Sequence, residues 1–146
     1  MRASKVVLTL LCLWMVFALA AYGSDEAAKE KAAAEAAMPW LALVDSGHYG
    51  ESWFQAASLF RDSLSKEQWT NAVRAARDPL GKVVARQLKS ATYATKLPNA
   101  PVGEYVVLQF ETSFENASGM IETVTPMLEK DGKWKVSGYF IKRAGS

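Results

Sequence analysis

The C-terminal half of the chain alternates apolar and polar residues with a period of two, which predicts β-strands. Residues 130–143 show this most clearly, because Asp131-Gly132 is typical of hairpin turns and the alternation begins directly after it. One side of this predicted strand carries Trp134, Val136 and Phe140. We therefore expect the last strand of an antiparallel sheet, with these three side chains facing a core.

Three further segments upstream have strand character. They are residues 83–97, 104–114 and 120–129, and turns rich in proline, asparagine or glycine separate them. The segment 104–114 alternates most regularly, and its predicted core-facing side carries Val106, Leu108 and Phe110. Together with the last strand, these segments predict four sequential antiparallel strands.

The part of the chain before the strands has the three- and four-residue spacing of amphipathic helices. An alanine-rich stretch, residues 24–37, runs into Pro39, where we expect a kink or a restart of the helix near Met38. A second helical pattern covers residues 49–60. A third begins at Ser65, where Gln68 completes a capping box, and its apolar stripe consists of Trp69, Val73 and Ala76.

Helices followed by sequential strands are typical of the α+β class. We predict two to three N-terminal helices packed on one face of a four-stranded antiparallel sheet. A chain of 146 residues, of which 50% are hydrophobic, has room for one sizeable core. We assign this single domain to residues 38–143 and treat residues 21–37 as an alanine-rich helical arm.

The first residues have the pattern of an export signal. Arg2 and Lys5 precede an apolar run over residues 6–21, and Ala18-Leu19-Ala20 supplies the small residues that signal peptidase requires. We predict a signal peptide over residues 1–20, cleaved as late as residue 23, and a periplasmic or secreted protein without a stable membrane span. The alternative is an uncleaved anchor.

Charge and cysteine content restrict the classes of function. Cleavage would remove Arg2 and Lys5, so the 17 basic residues would become 15, equal to the 15 acidic residues. A neutral domain gives no electrostatic reason to expect nucleic acid. The one cysteine, Cys12, lies inside the predicted signal, so no disulfide and no cysteine metal site is expected in the mature chain. We predict no cofactor.

Several blocks of residues, in order along the chain, resemble one family. The first block reads Trp40-Leu41-x-Leu43-x-Asp45-x-Gly47-x-Tyr49-x-x-Ser52-Trp53. Later blocks are Gly103-Glu104-Tyr105-Val106-Val107, Glu122-Thr123-Val124-Thr125-Pro126 and the hairpin over residues 131–141. Over about residues 36–143 the chain is similar to a bacterial exported family known as domain of unknown function 4019. This resemblance implies a nuclear-transport-factor-2-like (cystatin-like) roll, in which a curved sheet wraps the helices into a cone, and it implies no catalytic residues.

Two groups of residues could take part in catalysis. His48, the only histidine, follows Asp45 by three residues, but a polar cap in a helix–helix turn is the interpretation we favour. Rolls of this type sometimes contain an isomerase or dehydratase pocket built from a carboxylate and a tyrosine. The residues available for one are Tyr49, Tyr93, Tyr105, Tyr139, Glu111 and Glu122. Cross-strand pairing of the carboxylates with Arg86 or a lysine is the ordinary explanation for them.

The sequence therefore predicts an exported domain that binds something and is more readily explained without catalysis than with it. The candidates for its partner are a second copy, a small apolar ligand and an envelope protein. If Val106 and Phe110 face the helices, alternation places an apolar patch on the outer sheet face. We predict that this patch forms a homodimer interface through Tyr105, Val107, Tyr139 and Ile141. The alternative function is a pocket enzyme of the isomerase or dehydratase type.

Overall fold

The computed structural model of the protein describes residues 22–146 with their side chains and follows residues 3–21 as helical backbone. The predicted signal peptide, residues 1–20, lies outside the part whose side chains are described. Among the residues described, no helix has both the length and the apolar character needed to cross a membrane.

Helix α1 spans Ala3–Asp45 and continues through Pro39, so the predicted restart near Met38 is wrong. The helix is stabilised on both sides of the proline by packing on the sheet, since Ala37 before it and Leu41 after it are fully buried. In addition, Lys29 Nζ lies 2.6 Å from Glu104 Oε1 on the sheet side. Residues of the alanine-rich arm therefore contact the rest of the fold from about residue 29.

Helices α2 and α3 span Tyr49–Gln55 and Ser58–Ser63, where the sequence pattern predicted one helix over residues 49–60. The extended backbone of Ala56 and Ala57 divides it, and both alanines are fully buried. The Ala57 N–H donates a hydrogen bond of 2.8 Å to the carbonyl oxygen of Val136. The break in the helix thus connects this region to the edge of the sheet.

Helix α4 spans Lys66–Arg77 and begins with the predicted capping box. The Gln68 N–H donates to Ser65 Oγ at 3.1 Å, and the Ser65 N–H donates to Gln68 Oε1 at 2.9 Å. Trp69 and Val73 are buried as predicted, but Ala76 is exposed and Arg77, four residues after Val73, is buried instead. A 3₁₀ turn, Asp78–Leu80, follows α4.

Four strands, in the order of the sequence, form one antiparallel sheet. Their bounds are β1 Val83–Ala94, β2 Tyr105–Phe114, β3 Ala117–Leu128 and β4 Trp134–Arg143. The helices cover one face of the sheet, and the sheet is open, with β1 and β4 as its edges. The predicted α+β class and the four-stranded antiparallel sheet are confirmed.

A β-bulge at Ser137 changes the side to which the following residues of β4 point. Val136 lies opposite Pro126 and Gly138 lies opposite Thr125, so Ser137 has no partner on β3. The residue that next faces the helices is therefore Tyr139, and Phe140 points outward with 60% of its surface exposed. The prediction that Phe140 faces the core is wrong, whereas Val136 is buried as predicted.

The core lies between the helices and the inner sheet face, and tryptophans form much of it. Trp40 and Trp69 are buried with ring centroids 5.8 Å apart. Both indole N–H groups find acceptors at Ser52, one on its carbonyl oxygen at 2.8 Å and one on its Oγ at 2.9 Å. Trp53 and Trp134 are half-buried against this cluster. Trp69 and Trp134 thus pack in or against the core, as the sequence predicted.

Candidate functional site

The most concentrated polar chemistry among the described residues surrounds Glu122, a carboxylate that is fully buried on the inner sheet face. Alternation along β3 directs Glu122 inward between Met120 and Val124, both buried. Glu122 Oε1 accepts hydrogen bonds from Arg86 Nε at 2.9 Å and from Thr112 Oγ1 at 2.6 Å. Thr112 lies on β2 and Arg86 on β1, so three strands contribute to this contact.

The other oxygen of Glu122 is also occupied. Tyr139, on β4, donates its hydroxyl hydrogen to Glu122 Oε2, and an Arg86 guanidinium nitrogen lies 3.3 Å from the same oxygen. Both carboxylate oxygens therefore accept two hydrogen bonds each. Because the residue is fully buried and its acceptor positions are filled, Glu122 has no free position from which to accept a proton from a substrate.

Asp45, at the C-terminal end of α1, bridges two arginines. Its Oδ1 lies 2.8 Å from Arg77 and 2.8 Å from Arg86, and its Oδ2 lies 2.7 Å from Arg86. Arg77, the last residue of α4, also lies 3.7 Å from Glu122 and stacks over the ring of Phe114 at 4.8 Å. Two carboxylates thus neutralise two guanidinium groups. We call these four residues, with Thr112 and Tyr139, the ionic cluster.

The surroundings shift the pKa of several groups in the ionic cluster. Burial favours a higher pKa for Asp45, but the hydrogen bonds from Arg86 and Arg77 outweigh it and hold this pKa below its ordinary value. Burial is also the largest cause of the raised pKa of Tyr139, and the neighbouring Glu122 carboxylate raises it further. Tyr139 therefore remains a protonated donor, which is the form that its contact with Glu122 requires.

The arrangement connects α1, α4 and all four strands through charged hydrogen bonds. Bidentate and charge-assisted contacts of this kind fix orientation as well as adding stability. The ionic cluster is therefore suited to stabilising the packing of α1 and α4 on the sheet. The sequence predicted cross-strand pairing of Glu111 and Glu122 with Arg86 or a lysine without assigning the partners. The structure pairs Glu122 with Arg86 at 2.9 Å and Glu111 with Lys89 at 3.4 Å.

The sequence did not place Asp45, Arg77 or Thr112 in this cluster. One signal for Arg77 was available, since it extends the apolar stripe of α4 by one further helical step from Val73. The contact of Asp45 with Arg86 joins residues 41 positions apart, so no local pattern could have indicated it. Only the packing of α1 on the sheet brings them together.

His48 has no contact with the carboxylate suggested as its partner. Its Nδ1 lies 2.7 Å from Ser46 Oγ in an exposed turn, while Asp45 is engaged by the two arginines. The His48 side chain makes no capping hydrogen bond to α2, so the predicted cap is wrong in its detail. The side chain instead connects two residues of the same turn.

The remaining tyrosines do not converge on Glu122. Tyr49 donates its hydroxyl hydrogen to Asp78 at 3.1 Å, Tyr93 to Glu104 at 2.8 Å, and Tyr105 to the carbonyl oxygen of Pro101 at 2.7 Å. Of the residues proposed for an isomerase-type pocket, only Glu122 and Tyr139 come together.

The four residues predicted to form a dimer interface do not share one accessible surface. Tyr139 and Ile141 lie opposite Val124 and Glu122, whose side chains face the helices, so the bulge places them on the inner face. Tyr105 is only 1% exposed, because its ring lies under the loop that contains Gly103. Val107 alone keeps the predicted outward position with partial exposure. Phe140 takes the outward place that was assigned to Tyr139.

A groove of about 350 Å³ opens at the surface where α1, α2 and the start of β4 meet. Pro39, Leu43 and Trp134 provide apolar walls. Lys133 and Lys135 border it on the β4 side. Its apolar walls are of the kind that the small apolar ligand considered from the sequence would contact.

The fold and the ionic cluster define a class of protein: a small α+β domain with its helices packed on one face of an open antiparallel sheet around buried, paired charges. A family described as "Protein of unknown function (DUF4019)" matches residues 36–139. Since this match covers more than half of the chain, the protein belongs to that family, as its sequence blocks indicated. No curated protein and no solved structure matches the chain.

Proposed function

We propose that the protein is an exported, non-catalytic module that associates with a second copy of itself through the surface around Phe140. The observation that supports this most is the exposure of that ring, 60%, on the sheet face opposite the one that the described helices cover. Val107 and Ile121 lie partly exposed on the same face. Exposed apolar patches of this kind often mark contacts between proteins.

The polar surroundings of the patch are suited to an interface. Phe140 lies opposite Thr123, which in turn lies opposite Gln109, so uncharged hydrogen-bonding side chains adjoin the ring. Glu111 and Lys142 lie further along the same face and are exposed. An apolar centre with a polar rim is the usual anatomy of a protein–protein interface.

One contact favours the alternative, a pocket enzyme of the isomerase or dehydratase type: the buried Glu122 lies against the hydroxyl of Tyr139. A substrate would have to displace Arg86 or Tyr139 before Glu122 could act as a base. Breaking these contacts would leave buried charge uncompensated, which costs about 3–5 kcal/mol. We prefer binding to catalysis because hydrogen bonds already fill all the acceptor positions of the Glu122 carboxylate.

Export is supported by the first 20 residues, in which a basic start, an apolar run and small residues follow in the order of a signal peptide. The intact mass of the protein recovered from the cell envelope tests this part of the proposal. A chain that begins at Ala21 or Ser24 supports it, and a mass that retains Cys12 contradicts it.

Light scattering on the exported protein and on Phe140→Ser tests self-association. We expect the wild type to approach the mass of a dimer at micromolar concentration and Phe140→Ser to remain a monomer. Phe54→Ser is the matched control, because Phe54 is 53% exposed on α2, away from this face, and it should behave as the wild type does. A monomeric wild type, or a Phe140→Ser protein that still dimerises, contradicts the proposal.

A further inference from the structure

The hydrogen-bonding pattern between β3 and β4 shows which backbone groups of β4 face the open edge. The Ala144 N–H donates to the carbonyl oxygen of Gly119 at 2.8 Å, so this pair belongs to the bonded set. In an antiparallel ladder, bonded and non-bonded pairs alternate. By this alternation, the backbone groups of Lys142 and Phe140 form hydrogen bonds with β3. The N–H and C=O groups of Ile141 and Tyr139 therefore point to the open edge.

The other end of β4 gives the same result independently. Val136 lies opposite Pro126, which has no N–H, so this pair cannot exchange both hydrogen bonds. The Val136 carbonyl instead accepts from Ala57 on the edge side. After the bulge at Ser137, the alternation again directs the backbone N–H and C=O groups of Tyr139 and Ile141 to the open edge, away from β3. Within residues 22–146, no hydrogen bond to these backbone groups is observed across the edge.

The two edges of the sheet differ in how they are protected. The edge strand β1 has two register irregularities and the charged Lys89 at one of them, and its Tyr93 N–H donates to Glu30 Oε1 at 3.0 Å. Bulges and charges of this kind prevent a strand from pairing with another chain. On β4, Ala57 covers Val136, but the part from Tyr139 to Ile141 has no such cover.

Space is present beside this part of β4. A groove of about 220 Å³ separates it from α4, and the α4 side includes Ala72 and Ala76, which are small and exposed. On the other side of the strand, the ring of Phe140 projects from the outer face. An approaching strand would therefore meet unpaired backbone groups between a small-residue groove and an exposed aromatic ring.

We propose that this edge of β4 pairs, antiparallel, with the same edge of a second copy, centred on Phe140. This inference rests on the proposed function and specifies its geometry. Tyr139 of one copy exchanges both backbone hydrogen bonds with Ile141 of the other, and the two-fold symmetry repeats the exchange. The two sheets become one continuous sheet, and the two Phe140 rings lie side by side on its outer face.

The sequence of β4 is complementary to itself in this register. Phe140 lies opposite Phe140 of the second copy, and Tyr139 lies opposite Ile141, which are favourable cross-strand pairs. Lys142 lies opposite Gly138, so the two lysines do not face each other. If the centre of the pairing moved by one residue, to Ile141, Lys142 would lie opposite Phe140 and Arg143 opposite Tyr139. The observed order of residues therefore favours the register centred on Phe140.

Cysteine cross-linking between two variants tests this register. Residues 138 and 142 of different copies form a non-bonded pair, with Cα atoms about 4.5 Å apart, which a disulfide can bridge. A β-carbon at Gly138 meets nothing closer than Thr125 at 3.8 Å, and Lys142 is exposed, so both sites tolerate cysteine. Exported Gly138→Cys protein mixed with Lys142→Cys protein should yield a disulfide-linked dimer under mild oxidation, whereas each protein alone should yield none.

Two controls complete the design. The same mixture with Phe140→Ser added to both proteins should yield no disulfide-linked dimer, because association depends on the Phe140 ring. Thr123→Cys, on the same face but one strand further from the edge, should not cross-link to either cysteine variant. A cross-link in the mixture that is lost with Phe140→Ser supports the proposal, and its absence from the mixture, or a Gly138→Cys protein that links to itself, overturns it.

The outcomes also separate this inference from the proposed function. If the wild type dimerises in light scattering and Phe140→Ser does not, yet no predicted cross-link forms, the edge pairing is wrong and self-association through Phe140 stands. If the wild type remains a monomer at every concentration, the proposed function fails and the edge pairing fails with it.

Discussion

At the scale of single residues, the contacts of Glu122 determine whether its carboxylate can catalyse a reaction or only stabilise the fold. A buried carboxylate next to a tyrosine is what an isomerase-type site would present, but here Arg86, Thr112 and Tyr139 fill its acceptor positions. Charged hydrogen-bonding groups of this kind are costly to leave unpaired. The stabilising role therefore follows from the partners of Glu122 and not from its residue type.

Glu122→Gln tests this role. The substitution removes the charge that compensates Arg86 and Arg77, so we expect a loss of about 3–5 kcal/mol in the free energy of unfolding, measured with urea. Glu111→Gln is the control, because Glu111 is exposed on the neighbouring strand and should change stability by less than about 0.5 kcal/mol. Equal, small effects for both variants would show that the ionic cluster does not stabilise the fold.

Two adjacent residues, Tyr139 and Phe140, show what residue patterns could not predict. Strict alternation after Val136 assigned Phe140 to the core and Tyr139 to the surface, and the bulge at Ser137 reverses both. A bulge depends on the partner strand, here on Pro126, which cannot supply a ladder hydrogen bond. The sequence pattern therefore assigned Tyr139 to the surface and Phe140 to the core, and the structure shows the opposite for both residues.

At the scale of elements, the end of α1 is held on the sheet by Asp45. Its side chain receives hydrogen bonds from Arg77 on α4 and from Arg86 on β1, so one carboxylate joins two helices and a strand. The pKa of Asp45 is lower in the folded protein than its ordinary value, despite burial. The ionised form therefore stabilises the folded state relative to the unfolded chain.

Asp45→Asn gives a stability change that depends on pH. The contribution of ionised Asp45 is fully present above its unfolded pKa of about 3.9 and is lost as the pH falls through the lower folded pKa. We expect Asn to cost about 1–3 kcal/mol at pH 7 and progressively less as the pH falls below the unfolded pKa, down to pH 3, measured by urea unfolding. Asp62→Asn, an exposed site on α3, is the control. An equal cost of Asp45→Asn at both pH values would contradict this account.

Elements with strong local signals could be predicted from the sequence. The capping box of Ser65 and Gln68 marks the start of α4 directly, and the dipeptide Asp131-Gly132 marks the last hairpin. The break at Ala56 and Ala57 could not be predicted, because alanine suits a helix well. The contact of Ala57 with Val136 on a distant strand determines it. Likewise, packing on the sheet keeps α1 continuous through Pro39.

At the scale of the whole molecule, the order of helices and strands was sufficient to predict the α+β class and the sequential antiparallel sheet. The candidate site was only partly predictable, because the ionic cluster joins residues from six elements. The proposed association surface rests on two features that appear only in three dimensions, namely the open edge of β4 and the exposure of Phe140. Together they favour a protein that acts as an assembly of two copies.

The dependence of the thermal unfolding midpoint on protein concentration tests this assembly most directly. Dimerisation stabilises the folded state by mass action, so the midpoint of the exported wild-type protein should rise as its concentration increases. The midpoint of Phe54→Ser should rise in parallel, and that of Phe140→Ser should stay constant. A constant midpoint for the wild type, or a rise in Phe140→Ser equal to that of the wild type, would contradict the account.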